Sequence, residues 1–225
     1  MPILRLPEYG QHVVLLGSTG TGKSILAETM LSRYTSYLAI DSQDSLDRTK
    51  GFKIKRPNHL DWLLKFNERI VYKPKPEYLF KEAFNYIFKN FLESSKKRKP
   101  GQILNRENPR ICYVDEIYHI GYGVNFPVWL PKGMTTARQR KLSFWISTQR
   151  PKMIPVPVLT EASLIIVFML SRYEDIKYIS GFSRSNPKAF MEVLQQQQKD
   201  HSFIIINNHE GTWQKFPPIK RSGIK

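Results

Sequence analysis

The chain has 225 residues, of which 41% are hydrophobic and 12% aromatic, so it can bury a core and is not globally disordered. Lys and Arg number 35 against 19 Asp and Glu, and the formal net charge of +16 indicates an anionic partner, either nucleic acid or an anionic membrane. The single cysteine, Cys112, excludes intramolecular disulfides and cysteine-based zinc sites and favours a reducing compartment. The longest apolar run, residues 164–170, is far shorter than the ~20 residues that cross a bilayer, so we expect no transmembrane segment.

The chain alternates between apolar strands and amphipathic helices. We predict strands at residues 12–16, 37–40, 69–72, 111–114, 142–147, 164–169 and 203–206. We predict helices over residues 22–33 and 76–93, and a third that begins after Asn186 with Pro187 at its first position. Continuously apolar strands of this kind are typical of strands buried on both faces. The predicted fold class is α/β, a mostly parallel central sheet with helices on both faces, in a single domain over residues 1–225.

The segment after the first predicted strand matches the phosphate-binding pattern G-x-x-x-x-G-K-S/T. It reads Gly17-Ser18-Thr19-Gly20-Thr21-Gly22-Lys23-Ser24, and a helical pattern follows it. Glycines let the backbone wind tightly enough for several N–H groups to converge on phosphate oxygens, and the helix N-terminus adds its positive dipole end. We therefore expect these residues to bind ATP, with Lys23 on the β- and γ-phosphates and Ser24 on Mg²⁺. A glycine-rich turn that binds nothing is the alternative, which the flanking strand and helix disfavour.

Two adjacent carboxylates follow the strand predicted at residues 111–114. Asp115 is expected to hold Mg²⁺ through its water shell, and Glu116 to polarise the attacking water as general base. The two acids could instead mark a solvated strand exit, or Glu116 could cap a helix. The phosphate loop favours the catalytic interpretation, because both segments follow strands whose carboxyl ends meet at one edge of an open α/β sheet.

A polar cluster, Ser147-Thr148-Gln149-Arg150-Pro151, ends the strand predicted at residues 142–147. Gln149 in this position can sense the γ-phosphate and orient water, and Pro151 stops the sheet pairing. An ordinary exit from strand to loop is the alternative for this segment taken alone.

Together with the preceding residues 137–142, this cluster makes the sequence resemble the FtsK–HerA superfamily of DNA-pumping ATPases. In that family an arginine lies ten residues before the Thr of a Thr-Gln-Arg-Pro motif, and here Arg138 lies ten residues before Thr148. The resemblance extends from the first strand to about Leu170 and is greatest to the single-domain genome-packaging ATPases of icosahedral viruses with internal membranes. The chain departs from the family at Ala137, where a Gly is usual.

The resemblance implies a RecA-like core that assembles as a ring, usually a hexamer, and moves double-stranded DNA. Five positions match the family's phosphate loop, Walker B acids and sensor: Lys23, Ser24, Asp115, Glu116 and Gln149. Arg138 matches the arginine that enters the site of the next subunit, where it stabilises charge on the γ-phosphate. Arg140 is the alternative for that role.

Two basic stretches are candidates for contact with the DNA backbone. One contains Lys50, Lys53, Lys55 and Arg56, and the other contains Lys96, Lys97, Arg98 and Lys99. We predict both as loops within one domain. Either stretch could bind phosphates with a strong dependence on salt, or could be a solvated surface.

The site residues and the resemblance together imply an ATP-driven double-stranded DNA translocase that packages a viral genome into a preformed capsid. We expect it in the virion or the host cytoplasm, with capsid-vertex or viral membrane proteins as further partners. The alternatives are a conjugation motor, a phage-assembly or secretion ATPase that acts on protein, and a nucleotide switch. Glu116 argues against a switch, because a switch does not need a general base.

Overall fold

The computed structural model describes residues 5–66, 68–79, 81–94, 110–120, 126–184 and 186–218. The described strands are β1 (Val13–Leu16), β2 (Tyr37–Asp41), β3 (Phe52–Ile54), β4 (Arg69–Tyr72), β5 (Ile111–Asp115), β6 (Ser143–Thr148), β7 (Leu164–Val167), β8 (Phe203–Asn207) and β9 (Thr212–Phe216). The described α-helices are α1 (Lys23–Leu31), α2 (Leu60–Phe66), α3 (Lys81–Ser94), α4 (Trp129–Thr136), α5 (Val156–Thr160), α6 (Tyr173–Ser180) and α7 (Pro187–Gln195).

The strands form one sheet in the order β3-β4-β2-β5-β6-β1-β7-β8-β9. Strand β1 lies near the middle and pairs in parallel with β6 on one side and β7 on the other. Strand β8 is antiparallel to β7, and β9 is antiparallel to β8, so β8 runs against the direction of both its neighbours. The carboxyl ends of β1, β2, β5, β6 and β7 therefore share one edge of the sheet with the start of β8 and the end of β9.

Both faces of the sheet are covered, so its central strands have no solvent-exposed face. Every residue of β1, β2, β5 and β6 is buried, and β1 is an unbroken run of branched aliphatic side chains. Helix α1 packs through Leu26 and Met30 on one face, and the other helices pack on the opposite face around aromatic residues such as Phe84 and Phe88. Such burial explains why these strands read as continuous apolar runs.

The predicted α/β class is confirmed, and all seven predicted strands are present with boundaries within two residues. The N-cap predicted at Asn186 is also present, since its Oδ1 accepts a hydrogen bond of 3.0 Å from the N–H of Ala189. No helix in the described part of the chain is long and apolar enough to cross a membrane.

Two predictions of local structure are wrong, and strand β9 has no predicted counterpart. The helix predicted from residue 76 begins at Lys81, because Pro76–Tyr78 forms a separate 3-10 turn that ends at Leu79, whose ψ of 61° is not helical. The basic stretch that contains Lys50, Lys53, Lys55 and Arg56, predicted as a loop, includes β3. This short edge strand has two exposed side chains and lacks an apolar run. Strand β9 was not predicted, because most of its side chains are exposed or only partly buried.

Candidate active site

The loop after β1 is held between the two neighbouring strands. The N–H of Gly17 donates to the carbonyl oxygen of Thr148 at 3.3 Å, and the N–H of Ser18 donates to that of Met169 at 2.9 Å. Gly17 has a φ of 155°, and a Cβ at this position would lie 2.6 Å from the Cβ of Phe168. Only glycine fits so close an approach, because real Cβ atoms do not come within such a distance of another side chain.

The rest of the loop is wound tightly onto the start of α1. Gly20 and Gly22 have φ angles of 72° and 105°, and Thr21 Oγ1 donates to the carbonyl oxygen of Ser18 at 2.8 Å. Helix α1 begins at the next residue, so the N–H groups of its first turn have no partner within the helix. The segment thus has the geometry of an anion site, with converging N–H groups at a helix N-terminus.

Lys23 lies inside this loop and is 7% exposed. Its Nζ donates to the carbonyl oxygens of Gly17 at 2.7 Å and Ser18 at 3.1 Å. Burial lowers the pKa of Lys23, whereas the nearby carboxylates of Glu116 and Asp115 act in the opposite direction. The ammonium is therefore held where phosphate oxygens would reach it, with acidic groups beside it that favour its charged form.

Asp115 ends β5, and two hydroxyl groups fix its carboxylate. Tyr113 donates its phenolic hydrogen to Oδ1 at 2.8 Å, and Ser45 donates its hydroxyl hydrogen to Oδ2. The Ser45 hydroxyl also lies 3.3 Å from that of Ser24, so it bridges the two residues that the sequence predicts as the metal site.

The loop after β2 places Ser45 in this bridging position. Asp41, in register with Asp115 on the neighbouring strand, accepts hydrogen bonds from the N–H of Ser45 at 2.8 Å and of Leu46 at 3.2 Å. Lys73 lies 3.4 Å from the buried Asp41 carboxylate and balances its charge. The buried Asp41 carboxylate thus holds the loop that carries Ser45, although Asp41 itself is not a predicted metal ligand.

Oxygen donors suit Mg²⁺, which is usually bound by one or two carboxylates together with water and substrate phosphates. Asp115 and Ser24 fit that preference. In the described part of the chain no group of three or more His, Cys, Asp or Glu side chains could hold a metal ion by itself.

Glu116 follows directly and turns toward β6. Its Oε1 accepts hydrogen bonds from the hydroxyl of Thr148 at 3.1 Å and from the N–H of Gln149 at 3.2 Å. The residue has a φ of 47°, a left-handed conformation that costs free energy for any residue except glycine and that recurs at functional sites. The carboxylate is thereby held in a fixed place between the ends of β5 and β6.

Gln149 completes the group on the other side of the loop. Its Oε1 accepts a hydrogen bond of 2.8 Å from Thr19 Oγ1, so the end of β6 is tied to the tip of the loop. The structure therefore brings together every candidate residue of the phosphate loop, both acids and the glutamine, and their catalytic roles remain predictions.

Arg138 is not part of this group. It lies before the amino end of β6, and six residues of strand separate it from the carboxyl end, a span of about 20 Å at ~3.3 Å per residue. Its side chain is exposed and donates to the carbonyl oxygen of Glu161 at 3.1 Å. Arg140 is equally remote and donates to the carbonyl oxygen of Leu92 at 3.0 Å. Neither arginine can reach the phosphate loop of its own chain.

The two basic stretches differ in what the structure says of them. Lys50, Lys53, Lys55 and Arg56 are exposed around the edge strand β3. The candidates Lys96, Lys97, Arg98 and Lys99 lie outside the described residues.

Sequence reasoning missed three residues that shape the site. Thr148 lies in the predicted polar cluster but has no predicted role in the site, although a hydroxyl at a strand end beside two acids is a signal that could have identified it. Asp41 also ends an apolar strand, so the reasoning applied to Asp115 could have found it. Ser45 carried no signal, because its contacts with Ser24 and Asp115 join segments distant in the chain.

No family model and no curated protein sequence matches the chain. Solved structures do match its fold. The genome packaging NTPase B204 of Sulfolobus turreted icosahedral virus 2 aligns with a TM-score of 0.74 and 18% identity over 95% of this chain and 99% of that chain.

Two further structures share the fold over part of their own length. EccC of Thermomonospora curvata, in its ATPases 2 and 3, aligns with a TM-score of 0.59 and 16% identity over 93% of this chain and 37% of that one. The pCW3 conjugation coupling protein TcpA aligns with a TM-score of 0.53 and 15% identity over 87% and 57%. At these identities the likeness establishes the fold alone.

We predict that Ser45→Ala lowers the affinity of the site for Mg²⁺ about tenfold, because the variant lacks the hydroxyl that orients the Asp115 carboxylate. Loss of a group that orients a metal ligand typically costs 10–100-fold in metal affinity. The measurement is the affinity for AMPPCP as a function of Mg²⁺ concentration. Ser42→Ala is the matched control, since the Ser42 hydroxyl donates to the main-chain oxygen of Asp115 and not to its carboxylate. An equal Mg²⁺ response in the two variants would contradict the bridging role of Ser45.

Proposed function

We propose that the chain is a Mg²⁺-dependent ATPase that translocates double-stranded DNA and packages a viral genome into a preformed capsid. The observation that carries the proposal is the convergence of Lys23, Asp115, Glu116 and Gln149 around one anion-binding loop. This set supplies the parts that hydrolysis of a nucleoside triphosphate needs: a phosphate cradle, a metal ligand, a base and a γ-phosphate contact.

Each residue has a task that its position supports. Lys23 and the N–H groups at the start of α1 bind the phosphates and spread their charge. Glu116, held by Thr148 and the N–H of Gln149, accepts a proton from the attacking water. Ser24 and Asp115 would hold Mg²⁺ together with the phosphates, and the ion would supply electrostatic stabilisation of the charge that develops on the γ-phosphate.

A duplex partner is supported by charge. The net charge of +16 favours a polyanion, and Lys53, Lys55 and Arg56 are exposed together at one end of the sheet. Residues 96–99 add a second basic stretch that we assign to the DNA. The name of B204, a genome packaging NTPase, supports DNA as the cargo and the virion or host cytoplasm as the place of action.

A ring is supported by the position of Arg138. Because this arginine is exposed and about a whole strand away from its own phosphate loop, it can complete a site only in a neighbouring copy. A trans arginine makes hydrolysis depend on the position of the neighbour, which suits a ring motor such as a hexamer.

Packaging is favoured over the related alternatives by the extent of the structural likeness. The likeness covers 99% of the B204 chain, but 57% of the conjugation protein TcpA and 37% of EccC, the latter solved with a signal sequence peptide. A conjugation motor would share the response to duplex DNA, whereas a secretion ATPase would respond to a protein segment.

We expect long duplex DNA to stimulate steady-state ATP hydrolysis, and the stimulation to fall as salt rises because it depends on contacts with phosphates. Glu116→Gln should reduce turnover by ~10²–10⁴-fold, the usual contribution of a general base, while ATP still binds. Glu192→Gln, the same change at an exposed position on α7, is the control and should leave turnover unchanged. Turnover that is indifferent to DNA would contradict the translocase and favour a motor that acts on protein.

We also expect that mixing two inactive variants restores part of the activity. A Lys23→Ala chain lacks its own phosphate contact but can still supply Arg138 to a neighbour. An Arg138→Ala chain has an intact phosphate loop but supplies no arginine to its neighbour. In a mixed ring some sites are complete, so turnover of the mixture should exceed that of either variant alone. A mixture that never exceeds its components would contradict action in trans, and full activity of Arg138→Ala alone would transfer the role to Arg140.

A further inference from the structure

A second feature lies on the other side of the phosphate loop from the carboxylates. It is a cavity of about 280 Å³ lined by Gly22, Ile25, Leu26, Phe168, His201 and Phe203, with Pro218 beside them. Phe168 follows β7 and Phe203 begins β8, whereas Asp115 and Glu116 lie at the end of β5. The loop therefore has its acids toward β5 and β6 and this cavity toward β7 and β8.

That arrangement determines which part of a nucleotide the cavity can receive. When the γ-phosphate lies near Asp115 and Glu116, the chain of phosphates runs along the loop toward the first turn of α1. The nucleoside must then leave the loop near Gly22 and Ile25, at the mouth of the cavity. Its volume is just below the range of ~300–1,000 Å³ typical of pockets that enclose a whole ligand, so it suits one ring system.

The lining is apolar apart from one imidazole. Ile25, Phe168 and Phe203 provide flat or branched apolar surface, and His201 is the single polar side chain among the described residues that line the cavity. Such a surface can hold the faces of an aromatic base but offers little to read its hydrogen-bonding edge.

The backbone holds His201 at this place in an uncommon conformation. Its φ is 63°, a left-handed value that is strained for a residue other than glycine. Hydrogen bonds on both sides secure it: the buried Gln197 amide donates to the carbonyl oxygens of Val167 and Ser202, and the Asp200 carboxylate accepts from the N–H of Ser202. A Cβ added to Gly22 would lie 3.3 Å from His201 Nδ1, so the imidazole directly borders the loop.

We propose that this cavity is the pocket for the base of the nucleotide and that the His201 ring stacks on the base. The inference rests on the proposed ATPase function and adds a specificity determinant to it. Because the pocket holds the base by its faces, it accepts guanine nearly as well as adenine. The reversal of chain direction at β8 and β9 is what creates the pocket, since it brings His201 and Pro218 to the edge where the phosphates bind.

The test is to measure the affinities of ATP, GTP and inorganic tripolyphosphate, each with Mg²⁺. His201→Asn removes the ring but tolerates a left-handed backbone, and His201→Phe keeps an aromatic ring without the nitrogens. His209→Asn, at an exposed position in the β8–β9 turn, is the matched control. Circular dichroism confirms that each variant is folded.

We expect His201→Asn to weaken ATP and GTP binding about tenfold, which corresponds to the lower part of the ~1–3 kcal/mol of a base stacked on an aromatic ring. Tripolyphosphate binding should not change, because it lacks a base. His201→Phe should bind ATP within a few-fold of the native chain, and GTP should bind within a few-fold of ATP.

Unchanged ATP binding by His201→Asn would overturn the proposal, as would a strong preference of the native chain for ATP over GTP. Failure of the native chain to bind either ATP or tripolyphosphate would overturn the ATPase function itself. The tripolyphosphate measurement therefore separates a wrong base pocket from a wrong site.

Discussion

A buried ammonium is the constraint on which the whole site depends. Lys23 is almost wholly removed from water, and a charged group in that environment is costly unless polar partners compensate it. Two main-chain carbonyls of the loop accept its hydrogen bonds, and the carboxylates of Asp115 and Glu116 oppose the effect of burial on its pKa. The loop must therefore be wound tightly, and the acids must lie nearby on other strands.

The order of the strands meets both requirements. Strand β1 lies between β6 and β7, so the loop that follows it is anchored on each side by a strand end. Strand β5 lies one place further along and brings in the acids, and the end of β6 supplies the groups that hold Glu116. On the opposite side of the loop, the residues that precede the antiparallel β8 lie at the same edge of the sheet, and they include His201. One topology thus separates the acidic side of the loop from its apolar side.

The sequence predicted those parts of the fold and site that are local in the chain. The phosphate loop and the acid pair were predicted because each is a short run of residues that follows an apolar strand. Strand β3 was missed because an exposed edge strand has no apolar pattern. The predicted start of α3 was wrong because the apolar residues keep a helical spacing across Leu79, whose backbone is not helical. Ser45 and His201 act across segments far apart in sequence, and only the packed sheet reveals their positions.

The binding of nucleoside triphosphate phosphates by Lys23 and its loop is the step that every other proposed role requires. It is tested most directly by titration calorimetry of Mg²⁺ with ATPγS into the native chain, into Lys23→Met and into Lys188→Met, the same change at an exposed position on α7. We expect one nucleotide bound per native chain. We expect a loss of affinity of about 10–100-fold in Lys23→Met, as for a charge-assisted hydrogen bond, and no loss in Lys188→Met. Equal affinity in all three chains would contradict it.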